Sequence, residues 1–379
     1  MGSVKCDSQP GPWTPTRAEK RPGAGQGPTR WKGMKMNNMK LLVLIAAPTM
    51  LLCSCAMTLP RAAESGNSAA IQSLLHDGAP VDQRGGSMDE TALIIAARHG
   101  NLGIVKTLTK AGADIHARSK YGDTALTAAT YFCHPNVSEF LIEQGADVNA
   151  KNDGFGSTPL MLAAECNDVA IVDALIRRSA KINETNKKGM TALTAAAIKG
   201  HVAVVQLLLN SGADTEKYGP KIGTALYEAS QQGQDAIVKL LINKSAGINW
   251  KSKHNGWTPL MIAVAEGHSS TASILLEAGA SVNLANDKGR TALMFAALYG
   301  NREITAALLK SGADPNLVPT DNEGRTALMA AATKGNIAIV KMLLDKGADP
   351  NLRNKEGKTA LAYASGEVAE ALRQAGAKE

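Results

Sequence analysis

The sequence predicts an all-α solenoid of stacked helix-turn-helix units, and three observations carry that prediction. A phrase of the form T-x-L-x-x-A-A recurs with its threonine at Thr91, Thr124, Thr158, Thr191, Thr224, Thr258, Thr291, Thr326 and Thr359, in steps of 33 to 35 residues. The phrase leads to Gly or Asn, then to an apolar pair, then to an ending of which G-A-D-x-N is the fullest form, as at Gly145 to Asn149, Gly312 to Asn316 and Gly347 to Asn351. A fixed period of this size marks supersecondary units that stack on one another rather than one globular core. A single helix pair cannot bury its apolar stripe alone, so stability has to come from its neighbours.

The unit from Thr291 to Asn316 serves for all. The Thr291 hydroxyl stands where it can accept from the free N–H groups of a helix's first turn, and Leu293, Ala296 and Ala297 then mark one narrow apolar face. Gly300-Asn301 breaks that helix. A second one carries Ile304, Leu308 and Leu309 at helical spacing until Gly312, which takes the left-handed cap conformation at low cost because it lacks a Cβ. Ala313-Asp314-Pro315-Asn316 leads into a polar turn.

These units resemble the ankyrin repeat, whose T-P-L-H-x-A signature and 33-residue period correspond to a turn and two antiparallel helices. Thr158-Pro159-Leu160 and Thr258-Pro259-Leu260 match its opening most closely. No unit has His at the fourth position, where Met161, Met261, Met294 and Met329 or Thr127 and Thr194 stand instead. That departure removes a polar link the family often uses. Eight full units run from Thr91 to Asn351. Ahead of them Gly66 to Ala79 keeps a degenerate skeleton, and behind them Thr359 to Ala377 is shortened, with Arg373, Gln374 and Lys378 as the polar outer face of a cap. The repeat domain is therefore expected over 62–379, with about nine to ten units once degenerate caps are included.

The chain ahead of the repeats concerns address. Residues 1–35 are rich in Pro and Gly and lack apolar periodicity, so they are expected to be a disordered extension; the sequence predicts a true start at Met36 or Met34. Lys40 precedes an apolar run, Leu41 to Leu52, of secretory-signal length and too short to span a bilayer comfortably. The run ends in Leu52-Cys53-Ser54-Cys55, which resembles the lipobox of bacterial lipoproteins. The resemblance implies a signal peptide over 36–54, a lipidated Cys55 as the new N-terminus, and a tether over 55–61. Cys53, preceded by Leu51-Leu52, fits less well, and an uncleaved anchor or buried helix is the alternative. Ala56 in place of Asp after Cys55 implies delivery to the outer membrane, facing the periplasm.

Charge and cysteines follow from that division. The chain carries a formal +7, but residues 1–54 hold eight basic against two acidic residues, which leaves 33 basic and 32 acidic residues for the rest. A nearly neutral mature protein gives no support to nucleic acid as a partner. Cys133 and Cys166 fall on adjacent units. Stacked helices lie about 8–10 Å apart, beyond the roughly 4.4–6.8 Å that a disulfide tolerates between Cα atoms, so two free, partly buried thiols are expected, a disulfide being the alternative.

Catalytic and metal chemistry find no constellation. His201 and His268 each follow a glycine at the inter-helix turn, a place where this family commonly has histidine; His99, His116, His134 and His254 are scattered. The cysteines lack C-x-x-C spacing. The aspartates of the G-A-D endings (Asp114, Asp147, Asp214, Asp314, Asp349) recur with the period, so capping the following turn explains all of them. No cofactor, metal or small-molecule substrate is expected. The protein partners of the family dock on the concave face, built from residues before each threonine and from the first-helix ends. Residue by residue this gives Tyr121, Phe155, Met190, Trp257, Arg290 and Arg325 from the turns, and Tyr131, Phe132, Leu298 and Tyr299 from the helix ends. Six of the 14 aromatic residues fall on this one face, a composition typical of binding hot spots. The expectation is a non-enzymatic interaction scaffold, lipid-anchored in the bacterial envelope and binding a protein partner. The alternative is an immunity or protective protein that neutralises a toxin or supports an oxidative-stress enzyme.

Overall fold

The computed structural model describes residues 57–378. The leader, the apolar run and the lipobox with Cys55 lie outside the described residues. Among the described residues nineteen α-helices follow one another, in the repeated helix-turn-helix units that the period predicts. The first helices of the eight full units are Ala92–Arg98, Ala125–Tyr131, Pro159–Glu165, Ala192–Lys199, Ala225–Gln231, Pro259–Ala265, Ala292–Tyr299 and Ala327–Thr333. Each is followed by a second helix of nine residues, from Leu102–Lys110 through to Ile337–Asp345. First helices stack on first helices and second on second, so the units form two parallel layers. None of these helices is long and apolar enough to cross a membrane.

The repeated threonine starts each unit as expected. Its hydroxyl accepts from the N–H three residues on at Thr91, Thr124, Thr158, Thr191, Thr224, Thr258 and Thr326, at 3.1 to 3.4 Å. Among the full units Thr291 is the exception: its Oγ1 is buried without a partner, and the Thr291 N–H faces the Met294 sulfur at 3.4 Å instead; in the shortened last unit Thr359 makes no cap and donates to Lys378 O. The fourth-position threonines correct the expectation of a lost polar link. The Thr124 N–H donates to Thr127 Oγ1 at 2.8 Å and the Thr191 N–H to Thr194 Oγ1 at 2.8 Å. A hydroxyl thus closes a reciprocal capping box where the family's imidazole is missing.

The core lies between the layers. The leucine two places after each full unit's threonine, Leu93, Leu126, Leu160, Leu193, Leu226, Leu260, Leu293 and Leu328, is never more than 2 % exposed. Fully burying one such side chain contributes about 1.5–3 kcal/mol. The small alanines beside them, among them Ala96, Ala97, Ala296 and Ala297, are also buried and let consecutive first helices approach.

Polar contacts repeat with the same period. All five G-A-D aspartates accept from the N–H two residues on, at 2.8 to 2.9 Å, which closes the turn as the sequence predicts. The asparagine that ends most units reaches the next one. Asn183 Oδ1 accepts from Asp214 N and its Nδ2 donates to Gly212 O, and Asn283, Asn316 and Asn351 make the same pair of bonds to the unit that follows. The histidines do likewise on the inter-helix turns. The Nε2 atoms of His134, His201 and His268 lie 2.9, 3.0 and 3.1 Å from the carbonyl oxygens of Arg98, Glu165 and Gln231. His134, scattered in the sequence reading, belongs to this series.

Three features depart from expectation. The first helix, Leu59–Glu64, starts inside the stretch expected to be a tether, because the Thr58 side chain caps it at Arg61 N and Leu59, Ala62 and Ala63 are buried. A short antiparallel hairpin pairs Arg84–Gly85 with Glu90–Thr91. At the far end a 3-10 turn, Ala360–Tyr363, replaces the last first helix before Gly366–Gln374, which leaves Arg373 and Gln374 exposed.

Cys133 and Cys166 form a disulfide, with Cα atoms 5.6 Å apart, which corrects the expectation of free thiols. The interaxial distance used for that expectation applies to helix bodies. Both cysteines sit at helix ends: Cys133 follows the C-cap Phe132 in the left-handed region (φ 58°), and Cys166 is the C-cap of the next first helix. At this turn successive units come into contact. A Cβ on Gly100 would meet the His134 ring at 2.7 Å, and one on Gly233 would meet His268 at 2.6 Å.

Candidate protein-binding face

The five exposed aromatic side chains among the described residues are Tyr121, Tyr131, Phe132, Phe155 and Tyr299, and all five belong to the face mapped from the sequence. Tyr121 and Phe155 stand at turn tips, fixed by backbone bonds from tip to tip: Asp153 N donates to Tyr121 O at 2.7 Å and Lys187 N to Phe155 O at 2.9 Å. The ammonium of Lys188 lies 4.6 Å from the Phe155 ring centroid. Tyr131 and Phe132 end a first helix, next to the disulfide. Their rings meet edge to face at 5.0 Å, and they are 56 % and 48 % exposed, so they do not fill a gap in the turn. Tyr299 ends a first helix five units on. Exposed aromatic area of this kind is costly unless something covers it.

The other mapped residues are placed differently. Leu298 is 5 % exposed; the helix turn that shows Tyr299 to solvent points its neighbour into the core, so Leu298 leaves the candidate site. Trp257 is half-buried and stacks on Phe295, with centroids 4.5 Å apart. It is part of the packing rather than a side chain free in the groove. Arg290 is only 12 % exposed and donates from Nε to Asp321 at 2.6 Å. The Arg325 guanidinium lies over Tyr363 at 4.6 Å with Glu323 beside it. Both arginines are thus held within the array. Met190 is half-buried, its N–H given to Asn186 Oδ1.

Electrostatics along the face follow burial. Burial pushes the Glu165 carboxyl up from its ordinary value, against the pull of Lys199 and Lys188. Burial likewise raises Asp123, which a hydrogen bond from Asn152 and the charge of Arg118 oppose. Among the described residues no group of His, Cys, Asp and Glu side chains is arranged to hold a metal ion. The sequence reading missed the periodic asparagine and histidine bonds as functional scaffolding, though their spacing was a visible signal.

Known proteins compare as follows. A family model described as ankyrin repeats (3 copies) matches residues 59–152, 149–219, 226–319 and 317–378. A stretch of 124 residues is 36 % identical to the RelA-associated inhibitor of Mus musculus, covering 32 % of this chain and 15 % of that protein. Another of 134 residues is 32 % identical to neurogenic locus notch homolog protein 1 of Homo sapiens, covering 33 % and 5 %. The putative palmitoyltransferase ZDHHC13 of Danio rerio is 32 % identical over 127 residues, 33 % of this chain and 20 % of that one. These matches take in no more than 20 % of any of the three relatives. The ankyrin repeat domain of human ASB11 superimposes with a TM-score of 0.52 at 27 % identity, covering 59 % of this chain and all of that one. Repeats in family-model register, with every exposed aromatic of the described array on one face, make this chain a member of the ankyrin repeat proteins and its array a protein-interaction scaffold.

Proposed function

We propose that this protein is a lipid-anchored scaffold of the bacterial cell envelope, held by Cys55 on the periplasmic face of the outer membrane, which binds a protein partner through Tyr121, Tyr131, Phe132, Phe155 and Tyr299. The observation that carries the binding role is the confinement of the exposed aromatic residues to one face. Such side chains bury much area with few rotamers to freeze, which is what binding hot spots use. The address rests on Leu52-Cys53-Ser54-Cys55 after an apolar run. The Cys133–Cys166 disulfide supports it, because disulfides persist in oxidising compartments and are rare in the cytosol.

Two experiments test the two halves. A Tyr131→Ala/Phe132→Ala/Phe155→Ala protein, with folding verified by circular dichroism, should lose the partner captured by wild type from solubilised envelopes. Lys244→Ala and Lys310→Ala, at second-helix ends away from that face, should keep it. Equal capture by the aromatic variant rejects the site. Labelling with a clickable fatty acid should mark wild type and Cys53→Ala but not Cys55→Ala; a labelled Cys55 variant rejects the anchor.

A further inference from the structure

The near neutrality of the chain beyond residue 54 hides a local asymmetry. The turn tips of the central units carry Lys187, Lys188, Lys221, Lys251, Lys253 and Lys288, all exposed. None of the six is in an ion pair among the described residues, whereas the flanking Arg118 and Lys151 are neutralised by Asp153 and Glu184. At the outer tips the charges are largely paired instead, Asp89 with Arg84 and Glu90 with Arg98 at one end, Asp321 with Arg290 and Glu323 with Arg325 at the other.

The tips form one continuous line. Lys187 N donates to Phe155 O, Lys221 N to Lys188 O, Asp287 N to Asn255 O and Thr320 N to Lys288 O. Backbone bonds, and at the junction between the Lys221 and Lys253 tips the His254 imidazole against Pro220 O, therefore hold successive tips in register, one unit apart. Two of the ammonium groups are seated over rings, Lys188 over Phe155 at 4.6 Å and Lys253 over Tyr218 at 5.0 Å, and Lys251 is steadied by a bond to Ala285 O at 2.7 Å. The cations are thus positioned, not merely numerous. Through Phe155 the line joins the aromatic face.

We propose that this row recognises an extended acidic segment of the protein partner, with one carboxylate at about every third residue. The proposal rests on the scaffold reading above and adds the chemistry of what is bound. The spacing decides the form of the ligand. Stacked helix pairs advance about 8–10 Å per unit, and a polyproline II chain has three residues per turn at about 3.1 Å each. One acidic side chain per turn, all on one side, therefore meets one tip per unit. A polynucleotide places its charges more densely, at about 3.4 Å of helix axis per strand in B-form DNA. A membrane offers a plane rather than a line.

Fluorescence anisotropy decides it. The probe is a labelled Pro/Ser peptide with glutamate at every third position, and the control is the same composition with its glutamates in one block. Wild type should prefer the spaced peptide, with binding that weakens as salt rises. Lys188→Glu/Lys221→Glu/Lys253→Glu, folded by circular dichroism, should bind it about tenfold or more weakly, because three exposed contacts each worth a few-fold compound. Equal binding of both peptides, or an unchanged affinity of the lysine variant, overturns the proposal. So does stronger binding of oligo-dT or of phosphatidylglycerol vesicles than of the spaced peptide. If the lysine variant still captures the envelope partner while the aromatic variant does not, the scaffold reading stands and the acidic segment falls.

Discussion

Reduction of the Cys133–Cys166 bond should cost the array a calculable part of its stability. The cross-link closes a loop with a sequence separation of 33, and the chain-entropy relation gives about 3–4 kcal/mol for a loop of that size. The native side adds little, since Cys133 is exposed and Cys166 half-buried, so alanine at both positions leaves no large cavity. The loss falls on one interface, because the bond joins two adjacent units and stability in such arrays is close to a sum over neighbours. Urea unfolding followed by circular dichroism, with and without reductant, measures it. Wild type should lose about 3–4 kcal/mol on reduction, and Cys133→Ala/Cys166→Ala should behave like reduced wild type and ignore the reductant. Peptide mapping without reductant should recover the two cysteines linked. Alkylation of both in the denatured, unreduced protein would refute the pairing, and a double variant still sensitive to reductant would refute the assigned cause.

Three further outcomes are expected. Leu293→Asp places a carboxylate at a site 1 % exposed and should cost several kcal/mol, at least about 3; an unaltered urea transition would show that the units do not stack as described. Trp257→Ala removes the ring stacked on Phe295 and should destabilise by about 2–4 kcal/mol, measured as a lowered thermal midpoint, so it is no clean probe of binding. For Asp321, burial pushes the carboxyl up, but the N–H groups of Gly324 and Glu323 and the Arg290 guanidinium outweigh it and hold the group below its ordinary 3.8. Because the folded value is the lower one, its contribution is present above pH 3.8 and fades as pH falls through the folded value. The melting-temperature difference between wild type and Asp321→Asn should therefore shrink in acid, and a difference constant with pH would remove the role.

How much was legible follows from what each signal encodes. The period, the threonine caps and the buried leucines depend on local pattern, and a pattern repeated eight times is read with little ambiguity. The exposure of Tyr131 and Phe132 followed from position in the repeat. What escaped was set by contacts between units. Leu298 and Tyr299 are neighbours in sequence, and only the rotation of their helix decides which one is covered. Trp257 reads as a turn residue until Phe295, from the next unit, is placed beneath it. The disulfide does not follow from helix spacing, because both cysteines lie in turns, where the chain leaves the helix axis and approaches the neighbouring unit. Arg290 and Arg325 resemble hot-spot anchors by type, but their partners Asp321 and Tyr363 come from the following units.

The asparagine that ends six of the eight full units has a consequence for how such a chain can change length. At most of these joints its side chain gives one acceptor and one donor to the same two places on the unit that follows, Asp314 N and Gly312 O for Asn283, and Asp349 N and Gly347 O for Asn316, while Asn249 gives its donor to the Ser281 hydroxyl. The junction is therefore generic. A duplicated or deleted unit of about 33 residues meets a partner already shaped for it, and the C-terminal cap joins in the same way, because Asn351 makes the same pair of bonds to Gly376 and Lys378. Where the side chain differs, as at Glu216, which reaches Gly247 N through a longer arm, the joint is particular to its neighbour. Recombination within the array is thus least disruptive at the asparagine joints, and the positions of the binding residues along it can be shifted by whole units without redesigning the fold.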